Sequence, residues 1–421
     1  MTLSPFMHAL GLKAKQGGRS LAGLTTEAKN DALRILSKNL IANALTILAA
    51  NEIDLAAACQ KGVDEALLDR LSLKGRLEGI AQDVLQVSKL PDPVGEIFDE
   101  TVLANGLRLC KQRTPIGVLG VIYEARPNVT IDIAALTIKT GNGVILRGGS
   151  ETLQTNLALI DVIQRSLKEA SLSPDSVQFI DNPDRKYVQE MLHAYEFIDL
   201  IIPRGGAGLH QYCREHSTIP VITGGIGICH LFVDESADFT KSLKVISNAK
   251  TQKTSACNAL DTVLVHEKIA PDFIPLLISE LSTLGVTFPI SLEVNRYVKE
   301  LPANVRLAQP GDWDTEWLGL TLGIHVVPNL EAAVDHIQQH SMGHSDGILT
   351  ENQMHAEKFI KEVDSACVYV NASTRFSDGG QFGLGAEVAI STQKIHARGP
   401  MALRELTSYK WIGRGNYHTR D

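Results

Sequence analysis

Residues 115–128 read PIGVLGVIYEARPN. The run from Gly117 to Tyr123 is continuously apolar rather than alternating, the pattern of a strand covered on both faces in a parallel sheet. Arg126-Pro127-Asn128 ends it. Helical spacing follows over 130–140, with Ile133, Ala134 and Leu136 turned inward, and Gly141-Asn142-Gly143 forms a turn. Val144-Ile145-Leu146 is a second short apolar strand, and 152–170 is an amphipathic helix. Downstream, 176–180 reads as a strand, 185–193 as a helix and 198–202 as a strand, after which Val221-Ile222 leads into a glycine cluster. Strand and helix therefore alternate, the signature of an open parallel sheet with helices on both faces. The alternation resumes from about Asp234. There is a helix over 239–248, a strand over 261–266, a helix over 270–284, a strand over 324–327, a helix over 330–339 and a strand over 346–350. The expected fold class is α/β, built from two α/β units.

Outside these units the chain reads differently. Residues 26–91 have helical periodicity, with Leu33, Leu36, Leu40, Ala44 and Ile47 on one face. The apolar stretch Leu40–Ala50 is expected to be a core helix, because Asn43 and Thr46 interrupt it. Residues 96–110 are β-like around Asn105-Gly106, a hairpin turn signal. Segment 373–385 is a polar, glycine-rich loop, and strand-like alternation returns over 407–412. At 421 residues, 44% hydrophobic and 21% charged, the composition is that of a globular protein with large cores. A net charge of −8 without a basic block argues against nucleic acid as a partner. The N-terminus lacks a basic-then-apolar signal pattern, and no stretch reads as a membrane span. Six cysteines without a CxxC pair fit a reducing, cytoplasmic setting and argue against a disulfide framework or a zinc site.

Two kinds of site stand out. Residues 248–261 read NAKTQKTSACNALD and place Cys257 among small residues in a loop that feeds a strand. Lys250 and Lys253 lie close in sequence, and positive charge favours the reactive thiolate. The competing reading is a buried structural cysteine. The second kind comprises glycine-bearing strand ends, two of them beside an arginine: Arg147-Gly148-Gly149, Arg204-Gly205-Gly206 and the cluster Gly224, Gly225, Gly227. Ligands bind at such ends in parallel sheets, and glycine lets a backbone approach a pyrophosphate. Each pair alone reads better as a tight turn than as a cofactor contact, and none forms a GxGxxG or Walker A motif. His336, His340 and His344 are spaced four apart, but HIQQH lacks the glutamate of a zinc-protease helix and Gly343 interrupts it, so a solvated helix face is preferred to a metal site.

The order PIGVLGVIYEARPN, VILRGG, IIPRGG, TGG, NAKTQKTSACNA and EWLGLTLGIHVV resembles the aldehyde dehydrogenase superfamily. Within it, YEARPNVT, VITGGIGICH, HSDGILTEN and HARGPMALRELTSYKW resemble the γ-glutamyl phosphate reductase (glutamate-5-semialdehyde dehydrogenase) family over nearly the whole chain. The resemblance implies a Rossmann-type cofactor domain over 1–233, with a hairpin arm at about 99–113. It also implies a catalytic domain over 234–375, and a return segment and oligomerisation tail over 376–421. It implies NADPH-dependent reduction of L-glutamyl 5-phosphate to the semialdehyde in proline biosynthesis, a homo-oligomer, and the upstream glutamate kinase as a partner. Cys257 would be the nucleophile, and Asn128 would stabilise the oxyanion with the Cys257 N–H. Read without the resemblance, Asn128 is a turn or helix cap. Arg147 and Ser150 would suit the 2′-phosphate of NADP, with Glu151 beside them. Gly148, Gly149, Arg204, Gly205, Gly206 and Gly225 would line the cofactor, and Glu316 would hold the nicotinamide ribose. No metal is implied. The loop departs from the family at Lys253-Thr254-Ser255, where members often carry Pro-Gly or similar small residues.

Two alternatives remain at this level. One is a hydrolytic or otherwise acylating aldehyde dehydrogenase. The other is a non-catalytic relative acting as a binding protein, against which Cys257, Asn128 and Glu316 all count.

Overall fold

The computed structural model describes residues 2–224, 226–298 and 302–420. Contacts divide the chain into two compact units, 1–223 with 383–389 and 401–421, and 224–382 with 390–400.

The first unit opens with helices α1 (Pro5–Ala22), α2 (Thr26–Ala42), α3 (Ala44–Gln60), α4 (Glu65–Leu71) and α5 (Leu77–Lys89). There follow β1 (Ile97–Val102), β2 (Arg108–Pro115), β3 (Val118–Tyr123), α6 (Asn128–Thr140), β4 (Gly143–Arg147) and α7 (Leu153–Glu169). The unit continues with β5 (Val177–Phe179), α8 (Lys186–His193), β6 (Leu200–Arg204) and α9 (Ala207–His216). Strands β5-β4-β3-β6 form a parallel sheet in that order. Every residue of β3 is buried, as its unbroken apolar run requires. The chain leaves β3 towards β4 and β5 on one side, then crosses back to place β6 on the other. The topological switch point therefore lies between β3 and β6.

Leu40–Ala50 is not one helix. Asn43 divides it into α2 and α3, which meet at a 67° bend. Its side-chain amide donates to the Asn39 carbonyl at 2.8 Å, an alternative to continuing the helical ladder. Leu40 and Ile47 are buried on either side of the break, so the apolar face survives although the rod does not. Among the described residues no single helix is long and apolar enough to cross a membrane. The hairpin β1–β2 forms as read, and a tail strand Thr407–Arg414 pairs antiparallel along β2, giving a three-stranded arm. On the arm, Lys111 sits between the rings of Tyr409 and Trp411, 4.7 and 4.9 Å from their centroids, which leaves both aromatics partly exposed.

The second unit contains β7 (Cys229–Val233), α10 (Phe239–Thr251), β8 (Leu260–His266), α11 (Ala270–Ser282), β9 (Phe288–Ile290), β10 (Val305–Leu307) and β11 (Gly323–Val327). It ends with α12 (Leu330–His340), β12 (Ser345–Leu349), α13 (Gln353–Glu362) and β13 (Cys367–Val370). These strands join one parallel sheet in the order β10-β9-β11-β8-β7-β12-β13. The short Val221-Ile222 segment makes only an isolated bridge from Val221 to Ile201, and β7 is the strand that enters the sheet. Its His230 is fully buried and bonds Asp346 through both its backbone N–H (2.8 Å) and Nδ1 (3.1 Å).

His336 and His340 share a face of α12, but that face stacks inward. The His336 ring lies 4.9 Å from His325 and 5.4 Å from His230. Burial first, then repulsion from His230, His325 and His340, pushes His336 down to about 2. His344 lies beyond the helix with Nδ1 2.8 Å from Ser345 Oγ, and burial pushes it down to about 4. Both are neutral in the native state at neutral pH. Below the unfolded value near 6.5 the unfolded chain binds a proton at His344 that the folded chain refuses until about pH 4. Stability is therefore present above pH 6.5 and falls on acidification, by about 3 kcal/mol from His344 alone across that window. Urea unfolding at pH 7 and pH 5 should show His344→Gln losing less stability on acidification than the wild type, by about 2 kcal/mol. Equal losses in the two proteins would show that His344 does not carry the effect.

Candidate active site

Cys257 lies between α10 and β8, as the sequence reading expects, in a loop closed by backbone bonds from Ala256 N–H to Lys253 O and from Ala259 N–H to Ala256 O. Its side chain is half-buried. Of the other thiols, Cys59 is exposed and Cys110, Cys213, Cys229 and Cys367 are buried. Burial raises Cys213 to about 12 and also raises Cys229 and Cys367, which makes these thiols poor nucleophiles.

Lys250 is fully buried; its Nζ donates to the Leu260 carbonyl at 2.7 Å and lies 3.7 Å from Asp261. Asp261 also accepts the Trp317 N–H on Oδ1 (3.1 Å) and the Cys229 N–H on Oδ2 (3.4 Å). Desolvation raises Asp261 to about 6 despite Lys250, and lowers Lys250 despite Asp261. The sequence reading missed Asp261. Its only signal was a carboxylate at the start of an otherwise apolar strand.

Glu316 is tied to the same group. Its Oε1 accepts the Gly227 N–H at 3.1 Å, and burial raises its pKa. Gly227 in turn packs directly on the Cys257 loop. A Cβ there would stand 1.5 Å from the Cys257 carbonyl oxygen. Cys229 Sγ reaches that same oxygen at 3.4 Å. The second unit thus brings Cys257 and Glu316 together through Gly227. Gly225 lies outside the described residues.

In the first unit, Asn128 is the first residue of α6, and its side chain makes no capping bond. Its Nδ2 instead donates to Asp132 Oδ2 at 2.9 Å, leaving a second amide hydrogen for another acceptor. Burial raises Asp132 to about 6, partly offset by the Asn128 bond. Arg147 and Arg204 end strands β4 and β6, which flank β3. Arg147 Nη2 donates to the Pro183 carbonyl at 2.9 Å, and Nε of each arginine is buried without a hydrogen-bond partner among the described residues. The adjoining glycines have local reasons to be glycine. A Cβ on Gly149 would lie 2.0 Å from Glu151 Oε1, and one on Gly205 would lie 2.4 Å from Glu124 Oε2. Both carboxylates are fastened, Glu124 across the switch point by the Gly206 N–H (3.1 Å) and Glu151 between the ends of β3 and β4 by the Ala125 N–H (2.7 Å). Gly148 packs on Asn156 and Tyr123, Gly206 faces open space, and Ser150 is exposed at the turn. A cleft of about 630 Å³, lined by Lys15, Arg19, Gly117, Asp199 and Lys410 among others, opens at the opposite, N-terminal end of these strands and contains none of these residues. Among the described residues no group of three His, Cys, Asp or Glu is arranged to hold a metal ion.

The aldehyde dehydrogenase family model matches residues 88–295. A γ-glutamyl phosphate reductase of Yersinia pseudotuberculosis is 56% identical over 411 residues, covering 97% of this chain and 98% of its own. The chain belongs to the γ-glutamyl phosphate reductases of the aldehyde dehydrogenase family. A γ-glutamyl phosphate reductase of Yersinia pestis is likewise 56% identical over 97% of the chain. The crystal structure of the Thermotoga maritima γ-glutamyl phosphate reductase superposes with a TM-score of 0.96 at 46% identity, over 99% of this chain and 100% of that one. An acetylating aldehyde dehydrogenase of Geobacillus thermoglucosidasius, at 17% identity and a TM-score of 0.71, shares the fold. The chain is therefore an oxidoreductase with an aldehyde-dehydrogenase-like α/β fold, as its sequence leads one to expect.

Gly227 provides a test of the geometry that does not depend on the reaction. Gly227→Ala must displace the Cys257 backbone, and such overpacking typically costs about 1–3 kcal/mol. Alkylation of Cys257 by iodoacetamide, followed by mass spectrometry, should change in rate by about tenfold or more. Gly206→Ala, which points a methyl into open space at φ −70°, should leave both stability and alkylation unchanged.

Proposed function

We propose that this reductase converts L-glutamyl 5-phosphate to L-glutamate 5-semialdehyde and phosphate, in proline biosynthesis, through a thioester on Cys257. The carrying observation is that Cys257 is a partly accessible thiol whose carbonyl is packed by Gly227, the residue that also holds Glu316. In this reading the thiolate attacks the acyl carbon and the acyl–phosphate C–O bond breaks, releasing phosphate. A thiolate suits both steps, being strongly nucleophilic near neutral pH and a good leaving group when the thiohemiacetal later collapses. The free amide hydrogen of Asn128 and the Cys257 N–H are assigned as donors to the oxyanion, where charge develops in the transition state.

NADPH, when bound, supplies the hydride. We assign its site to the ends of β3, β4 and β6. The switch point, the open backbone at Gly206 and the two arginines with unpartnered buried Nε atoms suit an anionic dinucleotide. Gly148, Gly149 and Gly205 would border it. Arg147 and Ser150 would face the 2′-phosphate, with the Glu151 carboxylate taken up by the Ala125 N–H. Glu316 would hold the nicotinamide ribose, and Gly225 belongs to the same assignment by resemblance. The exposed aromatics of the β arm are where we place subunit pairing, and an interaction with the upstream kinase belongs to the same reading of the pathway.

A hydrolytic course is disfavoured by a missing base. Hydrolytic relatives of the superfamily carry a glutamate before a Gly-Gly pair to activate water, whereas Ile222 stands at the matching position here and is fully buried. General-base help is typically worth about 10²–10⁴-fold. Phosphate is already an anionic nucleophile and needs no such base.

Two measurements test this reading. Cys257→Ser should lower turnover by at least about 10³-fold with NADPH affinity nearly unchanged. A variant retaining a tenth of wild-type activity would remove Cys257 from the mechanism. Oxidation of the semialdehyde with NADP⁺ should depend on added phosphate and yield the acyl phosphate. Steady formation of free glutamate at the same rate without phosphate would favour the hydrolytic course instead.

A further inference from the structure

The substrate assigned above carries an α-carboxylate at the end remote from the reacting carbon. The geometry points to Arg375 as the residue that binds it, and this rests on Cys257 being the nucleophile. Arg375 lies in a short helical turn, 374–376, within the segment that the sequence alone presents as a plain polar loop. Three bonds fasten this turn to Asn258, the residue that follows the nucleophile. Asn258 Nδ2 donates to the Ser377 carbonyl at 2.9 Å and to the Arg375 carbonyl at 3.4 Å, and Thr374 Oγ1 donates to the Asn258 carbonyl at 2.7 Å. Asn258 and Thr374 are buried, so the turn is rooted and Arg375 is carried by a fixed base. Its side chain folds back over the same loop, where Nε–H donates to Gln252 Oε1 at 2.8 Å.

That bond orients the guanidinium and leaves its outer NH₂ edge for a ligand. Among the described residues no carboxylate forms an ion pair with Arg375. By contrast Arg306, Arg398 and Arg404 each have one. A planar guanidinium already held at one nitrogen is suited to bidentate capture of a carboxylate. The span fits as well. Four bonds separate the acyl carbon of a glutamyl group from its α-carboxyl carbon, about 5 Å at bond lengths near 1.5 Å. That is a side-chain length, and the Arg375 backbone contacts the residue next to Cys257. Arg375 also shares a compact unit and a hydrogen-bonded base with Cys257.

The test separates recognition from support of the loop. Arg375→Met should raise KM for glutamate semialdehyde about 30- to 100-fold with kcat within about threefold, and Arg375→Lys should recover part of the loss. The kcat/KM for butanal, which lacks the carboxylate, should stay within about twofold. A second readout needs no turnover. L-Glutamate should protect Cys257 of the wild type from iodoacetamide but not that of Arg375→Met. 4-Aminobutyrate, which differs from glutamate only in lacking the α-carboxylate, should act equally on both. Equal loss of kcat/KM for both aldehydes, or unchanged protection by L-glutamate, would overturn the proposal. If Cys257→Ser stays active the parent reading fails. If it is inactive while Arg375→Met is indifferent, only the Arg375 assignment fails.

Discussion

Lys250 and Asp261 stand at the two ends of the Cys257 loop, one in the last turn of α10 and the other at the start of β8, and their side chains meet at 3.7 Å in the buried interior. The loop that carries Cys257 is therefore closed at its base by an ion pair. Asp261 extends that closure outward, since its remaining oxygen capacity holds the N–H groups of Cys229 and Trp317. Strand β7 and the segment bearing Glu316 are thereby fixed relative to the loop. Both members of the pair shift in the direction that burial dictates, Asp261 up and Lys250 down, so desolvation outweighs their mutual attraction. Such a pair adds little to stability compared with an apolar pair of the same volume, yet removing one partner typically costs about 3–5 kcal/mol because the other is left buried and unpaired. What it contributes is placement.

Wherever burial alone decided the outcome, the sequence was readable. Strands β3, β4 and β8 have unbroken apolar or β-branched runs, and each forms within one or two residues of where its pattern places it. The elements that escaped notice are those whose polar residues are satisfied at a distance. Strand β7 begins with cysteine and histidine, and the buried His230 finds its partner in Asp346, more than a hundred residues away. Asn43 looks like an interruption that a long helix might tolerate, but it bends the rod by 67°. Helix α1 begins with Ser4 as its cap and Pro5 in its first turn, which are standard start signals. Its buried face, however, includes Gly11, Gly17 and Gly18, so its periodicity is nearly silent to hydropathy.

The site divides along the same line. Cys257 was visible because a thiol among small residues before a strand is a local pattern, and Glu316 and Asn128 entered by resemblance. The partners that hold them were not visible. Asp132 for Asn128, Gly227 for both Cys257 and Glu316, and Asp261 for the whole loop are all defined by contacts between distant segments. Lys250 is a like case: sequence shows it close to Cys257 but not that its Nζ bonds the Leu260 carbonyl and pairs with Asp261.

The glycine turns of the first unit limit how far a motif can be read. Gly149 and Gly205 each lie against the carboxylate of a glutamate, Glu151 and Glu124, so they have a local packing context and are not by themselves evidence for a pyrophosphate. The charges around them argue better. Two acids and two arginines meet at the ends of β3, β4 and β6. The acids are tied down by the Ala125 and Gly206 N–H groups, while each guanidinium keeps a buried N–H without an acceptor among the described residues. A buried donor left unpaired costs about 1–3 kcal/mol. An anionic ligand that satisfied those donors would recover that cost, which is why the arginines, more than the glycines, carry the case for a phosphate-bearing cofactor at this edge.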